Sequence, residues 1–69
     1  MDLKQAKQIL TGMGLDEFEE ERLTRSVKYT PSYMSVSPDH GYLSGAFTAD
    51  ELEAIATWMR DPSGVVGAE

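Results

Sequence analysis

A chain of 69 residues without a single cysteine has no covalent staple, so one small apolar core must specify its fold. The length allows one domain. Apolar residues at 41% and charged residues at 26% are proportions of a folded protein rather than of a disordered tail. Without thiols, disulfides and thiolate zinc sites are excluded. Small secreted domains are more often rich in disulfides, so a reducing, cytoplasmic setting is expected. The opening segment MDLKQAKQIL has no apolar run of signal-peptide length, and no stretch approaches the roughly 20 apolar residues of a membrane span.

Periodicity predicts an amphipathic helix over residues 2–13, with Leu3, Ala6, Ile9, Leu10 and Met13 on one face. Asp2 suits its N-cap and the positive end of its dipole. Gly12 and Gly14 supply the stop, and Lys4, Lys7 and Gln8 fall on the wet side. Residues 15–21, LDEFEEE, form an acidic run with Leu15 and Phe18 as its apolar anchors. A short helical turn and an extended lead into a strand both fit it.

From Leu23 to Tyr29 the period becomes two. Leu23, Val27 and Tyr29 share one side with Arg25 as the polar exception, while Thr24, Ser26 and Lys28 take the other. Thr30-Pro31-Ser32 breaks that strand. Tyr33 to Ser37 reads as a second strand, Pro38-Asp39-His40-Gly41 as a four-residue turn and Tyr42 to Phe47 as a third strand. A tight loop at Pro31-Ser32 sets Val27 against Val36 and Tyr29 against Met34. A loop over 38–41 sets Val36 against Leu43 and Met34 against Gly45. Both hairpins then place Val27, Tyr29, Met34, Val36, Leu43 and Phe47 on one side of a three-stranded antiparallel meander. Ser26, Lys28, Tyr33, Ser35, Ser37, Tyr42 and Ser44 are left on a solvated face.

Thr48-Ala49-Asp50-Glu51 is a capping box, with Phe47 and Leu52 placed for a hydrophobic staple. Leu52, Ile55, Ala56 and Met59 make the apolar stripe of the helix that follows, flanked by Trp58, and Asp61-Pro62 ends it. The expected fold is α+β, a three-stranded antiparallel meander with two helices in the order α-β-β-β-α. Residues 1–62 would form one compact domain and 63–69 a flexible C-terminal tail. Both helices on the apolar sheet face is the simpler arrangement, and one on each face is the alternative.

No catalytic motif stands in the chain. His40 sits at a turn tip, no serine lies in a GxSxG elbow, and a domain this small offers little burial for shifting a carboxylate pair. The spacing of a calcium loop is absent. The reading is therefore of a non-enzyme with no cofactor and no metal. Basic residues are few and interrupted by acids, which opposes direct binding to nucleic acid.

Twelve acids against six bases give a formal charge of -6, and a small interior puts nearly all of it on the surface. Such a field attracts basic partners and repels nucleic acid and anionic membranes. Alternate strand residues roughly 7 Å apart, or helical neighbours about 5–6 Å apart, can present a row of carboxylates resembling the spaced charges of a nucleic-acid backbone. Three zones are available: Asp16, Glu17, Glu19, Glu20 and Glu21 in the acidic run, Asp39 in the turn, and Asp50 and Glu53 on the last helix beside the capping Glu51. Electrostatics mainly sets association rate and partner choice. Tight binding also needs an apolar anchor, for which Tyr33, Tyr42, Phe18 and Trp58 are the candidates. The expected partner is a basic nucleic-acid-binding protein met by a monomer of this chain, with no membrane contact.

In size, acidity, lack of cysteine and layout, and with its DEFEEE run and GAFTADELEAI segment, the whole chain resembles small acidic phage-encoded anti-CRISPR proteins, especially those acting on type I surveillance complexes. Some of these combine a three-stranded sheet with two helices and block the DNA-reading surface of a large Cas subunit. The resemblance implies an inhibitor working in the host cell cytoplasm against a type I CRISPR-Cas subunit. It transfers no functional residue, so the ten partner-binding candidates, Tyr33 and Tyr42 with the eight acids, rest on charge and expected exposure. A rival reading is a phage or bacterial interaction module, or an antitoxin-like regulator, whose polar sheet face or tail binds while its acids serve only solubility. Another is a minimal enzyme using His40 and nearby carboxylates.

Overall fold

The computed structural model describes residues 1–26 and 32–69. Helix α1 (Leu3–Gly12) begins where Asp2 accepts a hydrogen bond from the Gln5 N–H at 2.7 Å. It stops at Met13, after which Gly14 takes a φ of 71° that a side chain would oppose. Ala6, Leu10 and Met13 are buried, whereas Leu3, expected on the same face, is exposed.

The acidic run resolves as extended chain. β1 (Glu17–Phe18) pairs with β2 (Leu23–Arg25), then come β3 (Tyr33–Val36) and β4 (Gly41–Ser44), all antiparallel and in chain order. The described residues thus form a four-stranded sheet where three strands were expected, and the class is α+β. The expected sheet positions of Val27, Lys28 and Tyr29, and the break at Thr30 and Pro31, lie outside the described residues.

Two registers differ from the expected ones. Val36 pairs with Leu23 and Met34 with Arg25, a four-residue shift from the Val27 and Tyr29 partners that a tight Pro31-Ser32 loop would impose. On the other side Val36 pairs with Gly41 and Met34 with Leu43, a two-residue shift. The reason for the second is the turn. The Ser37 N–H and hydroxyl both donate to the His40 carbonyl, at 2.8 and 3.0 Å, and the Ser37 hydroxyl accepts from the His40 N–H at 3.4 Å. Pro38-Asp39 alone then makes the corner. Gly41 becomes a strand residue, and a Cβ there would lie 3.2 Å from a Val36 methyl. Both shifts are even, so the expected faces survive: Leu23, Met34 and Val36 point into the core, and Tyr33, Tyr42 and Ser44 stand on the open side. Strand β4 ends at Ser44, so Phe47 is half-buried beyond it instead of within it.

Helix α2 (Ala49–Arg60) carries the expected capping box: the Glu51 N–H donates to the Thr48 hydroxyl at 3.1 Å, and the Thr48 N–H to the Glu51 carboxylate at 2.8 Å. Its buried face is Ala54, Ile55 and Trp58. Leu52, expected in the stripe, is exposed, and Ala56 and Met59 flank a face centred on the indole. Asp61-Pro62 closes α2 and also opens a third helix, α3 (Pro62–Val66), where a frayed tail was expected. Asp61 accepts from the Gly64 N–H at 3.1 Å as N-cap, Pro62 fills the first turn without needing a donor, and Val65 is fully buried. Lys7 donates to the Ala68 carbonyl at 2.7 Å, holding the last residues against α1.

Buried residues of α1, α2 and α3 join Leu23, Met34 and Val36 in one cluster, with Leu15, Phe18 and Phe47 packed against it. All three helices therefore cover the same face of the sheet, and among the described residues nothing packs on the other.

Candidate partner-binding surface

Phe18 opposite Leu23 carries the hairpin that displays the acids. The apolar pair turns inward, and the Glu19 N–H donates to the Arg22 carbonyl at 3.1 Å, which leaves Glu20-Glu21 as a two-residue corner. The buried Trp58 indole N–H then donates to the Glu19 carbonyl at 3.1 Å, fixing the tip to α2. Between tip and α3 lies an open recess of about 310 Å³ lined by Phe18, Glu19, Glu20, Glu21 and Val66. Its lining combines two apolar side chains with three glutamates, a mixture that suits the aliphatic stem and charged head of a lysine or arginine.

The strand register brings a second zone to the same place. Because Leu23 pairs with Val36, the corners Glu20-Glu21 and Pro38-Asp39 project level with each other from one end of the sheet. They stand two strand spacings apart, roughly 10 Å. The side chains of Glu19, Glu20, Glu21 and Asp39 are exposed and, among the described residues, make no hydrogen bond or ion pair. Asp16 and Glu17 are exposed but engaged: Asp16 accepts from the Ser26 N–H at 2.9 Å and Glu17 from the Thr24 hydroxyl at 3.4 Å.

Asp50 and Glu53 are exposed as well but do not join this end. Strand β4 runs away from the corners, α2 starts beyond it, and α2 reaches the hairpin only near Trp58. Tyr33 and Tyr42 sit on the open sheet face, 37% and 69% exposed, with ring centroids 6.3 Å apart in an edge-to-face pair. They remain available as apolar anchors. Trp58, at 0%, does not, and Phe18 is half-buried in the recess lining.

His40 closes its turn through backbone groups and lies exposed. Among the described residues no three metal-ligating side chains cluster, and no helix is long and apolar enough to cross a membrane.

The described residues thus form a two-layer α+β domain with an acidic end and an exposed, tyrosine-bearing sheet face. Comparison with protein-family models, with curated proteins and with solved structures found no match.

Two features escaped the sequence reading. The corner of the acidic hairpin has no glycine, proline or asparagine to announce it; the only signal was the spacing of Phe18 and Leu23 around two polar pairs. Helix α3 was announced by Asp61 followed by Pro62, which is also an N-cap followed by a first-turn proline.

Proposed function

We propose that the chain is a non-enzymatic inhibitor that imitates nucleic acid and occupies the DNA-binding surface of a basic partner, most specifically a subunit of a type I CRISPR-Cas complex. The observation that supports this most is that the Glu19–Glu21 tip and Asp39 meet at one end of the sheet, exposed and, among the described residues, held in no ion pair, although Arg22 follows in the same hairpin. Carboxylates held on two level corners meet a cationic groove as adjacent backbone charges do. Their hydrogen-bonding capacity is unspent, so lysine and arginine donors need displace only water. The recess beside Phe18 and Val66 accepts one inserted basic side chain, and Tyr42 supplies apolar contact nearer the open face. The CRISPR target itself rests on the resemblance in size, charge and layout.

Capture from a nuclease-treated bacterial lysate across a salt series tests the reading. A basic nucleic-acid-binding protein should be retained near physiological salt and released towards 1 M, as the screening length falls from about 8 to about 3 Å. Retention that ignores salt would favour the second reading, an interaction module that binds through the Tyr33 and Tyr42 face while its acids only keep it soluble.

A further inference from the structure

The two edges of the sheet are built differently. β1 is two residues long and carries Glu17, a short, charged edge of the kind that discourages pairing. The other edge, β4, reads Gly41-Tyr42-Leu43-Ser44, with no charge and no proline, and all four residues are exposed. Its free backbone groups follow from the turn. The Ser37 N–H donating to the His40 carbonyl marks a hydrogen-bonded position. Such positions alternate along an antiparallel ladder, so Tyr42 and Ser44 bond to β3 while Gly41 and Leu43 aim their N–H and C=O groups outward. Tyr42 stands on the open face at 69% exposure and Leu43 on the opposite face at 40%. An edge that no described residue pairs with, bearing exposed side chains on alternate faces, is the arrangement that strand-adding peptides use.

Charge selects the occupant. From Tyr29 to Met59 the chain contains no lysine or arginine, and Asp39, Asp50, Glu51 and Glu53 are its only Asp or Glu residues there. A second copy pairing at β4 would set one chain of formal charge -6 against another. A segment rich in lysine or arginine meets the opposite sign. We propose that β4 receives an extended, lysine- or arginine-bearing segment of a partner protein as a fifth strand of the sheet. The inference goes beyond imitation of nucleic acid, since it needs a basic segment and not a DNA-binding groove.

The test uses a capped peptide of about ten alternating threonine and lysine residues, and the same peptide N-methylated at every residue so that neither edge can pair, titrated into the isotope-labelled chain. The unmethylated peptide should shift the Gly41 and Leu43 amide signals and slow their hydrogen exchange, and the methylated one should not. Leu43→Pro removes an N–H that β3 does not use and should weaken binding about tenfold with an unchanged circular dichroism spectrum. Leu43→Lys serves the same purpose by repulsion should the proline variant fail to fold. Equal binding of both peptides, undiminished binding by a folded Leu43 variant, shifts confined to residues 19–21, or no binding would each overturn the proposal. So would a concentration-dependent dimer in sedimentation that a Leu43 variant disperses.

Discussion

A chain carrying Glu19→Lys, Glu20→Lys and Glu21→Lys together is expected to keep its fold and lose its basic partner. The three side chains are exposed and, among the described residues, bond to nothing, so the hairpin does not depend on them. What the tip contributes to the fold comes from the backbone: the Glu19 N–H to Arg22 and the Glu19 carbonyl from Trp58, both of which lysine preserves. Each reversal adds two charges, which brings the formal -6 to zero. One exposed ion pair contributes only about 0.2–1 kcal/mol. Reversal does more than delete attractions, because it sets like charges against the partner's groove at a cost of several kcal/mol, about a hundredfold or more in affinity. Slower association should account for part of it, since the steering field is gone. Thermal unfolding and binding kinetics measured on the same preparation separate the two effects. Asp50→Lys with Glu53→Lys, set back along α2 from the Trp58 contact with the tip, should weaken binding far less. An unchanged affinity in the triple variant would remove the acidic hairpin from the site.

Trp58→Ala should remove a large share of the chain's stability. The indole is the largest fully buried side chain, and it joins the core to the acidic tip. Truncating a buried tryptophan costs about 3–5 kcal/mol. At about 0.05–0.15 kcal/mol per residue, a domain of this length holds roughly 3–10 kcal/mol in total. Trp58→Phe is the more informative partner variant. It retains most of the apolar burial but leaves the Glu19 carbonyl without its donor, at a cost of about 1–3 kcal/mol. It should fold, and amide exchange at residues 19–22 should quicken relative to β3. Denaturant unfolding that showed less than about 1 kcal/mol lost in Trp58→Ala would contradict the packing described above.

The readable parts of this chain were those governed by local chemistry. Asp2 and Thr48 cap as their hydroxyl or carboxylate and their neighbours dictate. The sheet faces followed from alternation, and because both register shifts were even, Leu23, Met34 and Val36 still reached the core. The registers themselves were not readable, since they depend on loop lengths. Ser37 and His40 close a turn with side-chain help that proline and glycine punctuation does not encode. The rotation of α2 onto Trp58 and the docking of Val65 are decided by tertiary packing, which a helical stripe alone leaves undetermined. Of the site, the acidic residues were evident from composition. That Asp39 joins Glu20 and Glu21 while Asp50 and Glu53 stand apart needed the strand pairing.

Competition for the partner captured from the lysate tests the central claim most directly. A fluorescent DNA duplex bound to that partner is titrated with the chain at fixed, moderate salt. The account predicts full displacement, with the concentration of chain required rising in proportion to the duplex present, and no displacement by the triple lysine variant. A stable ternary assembly of partner, duplex and chain would contradict it.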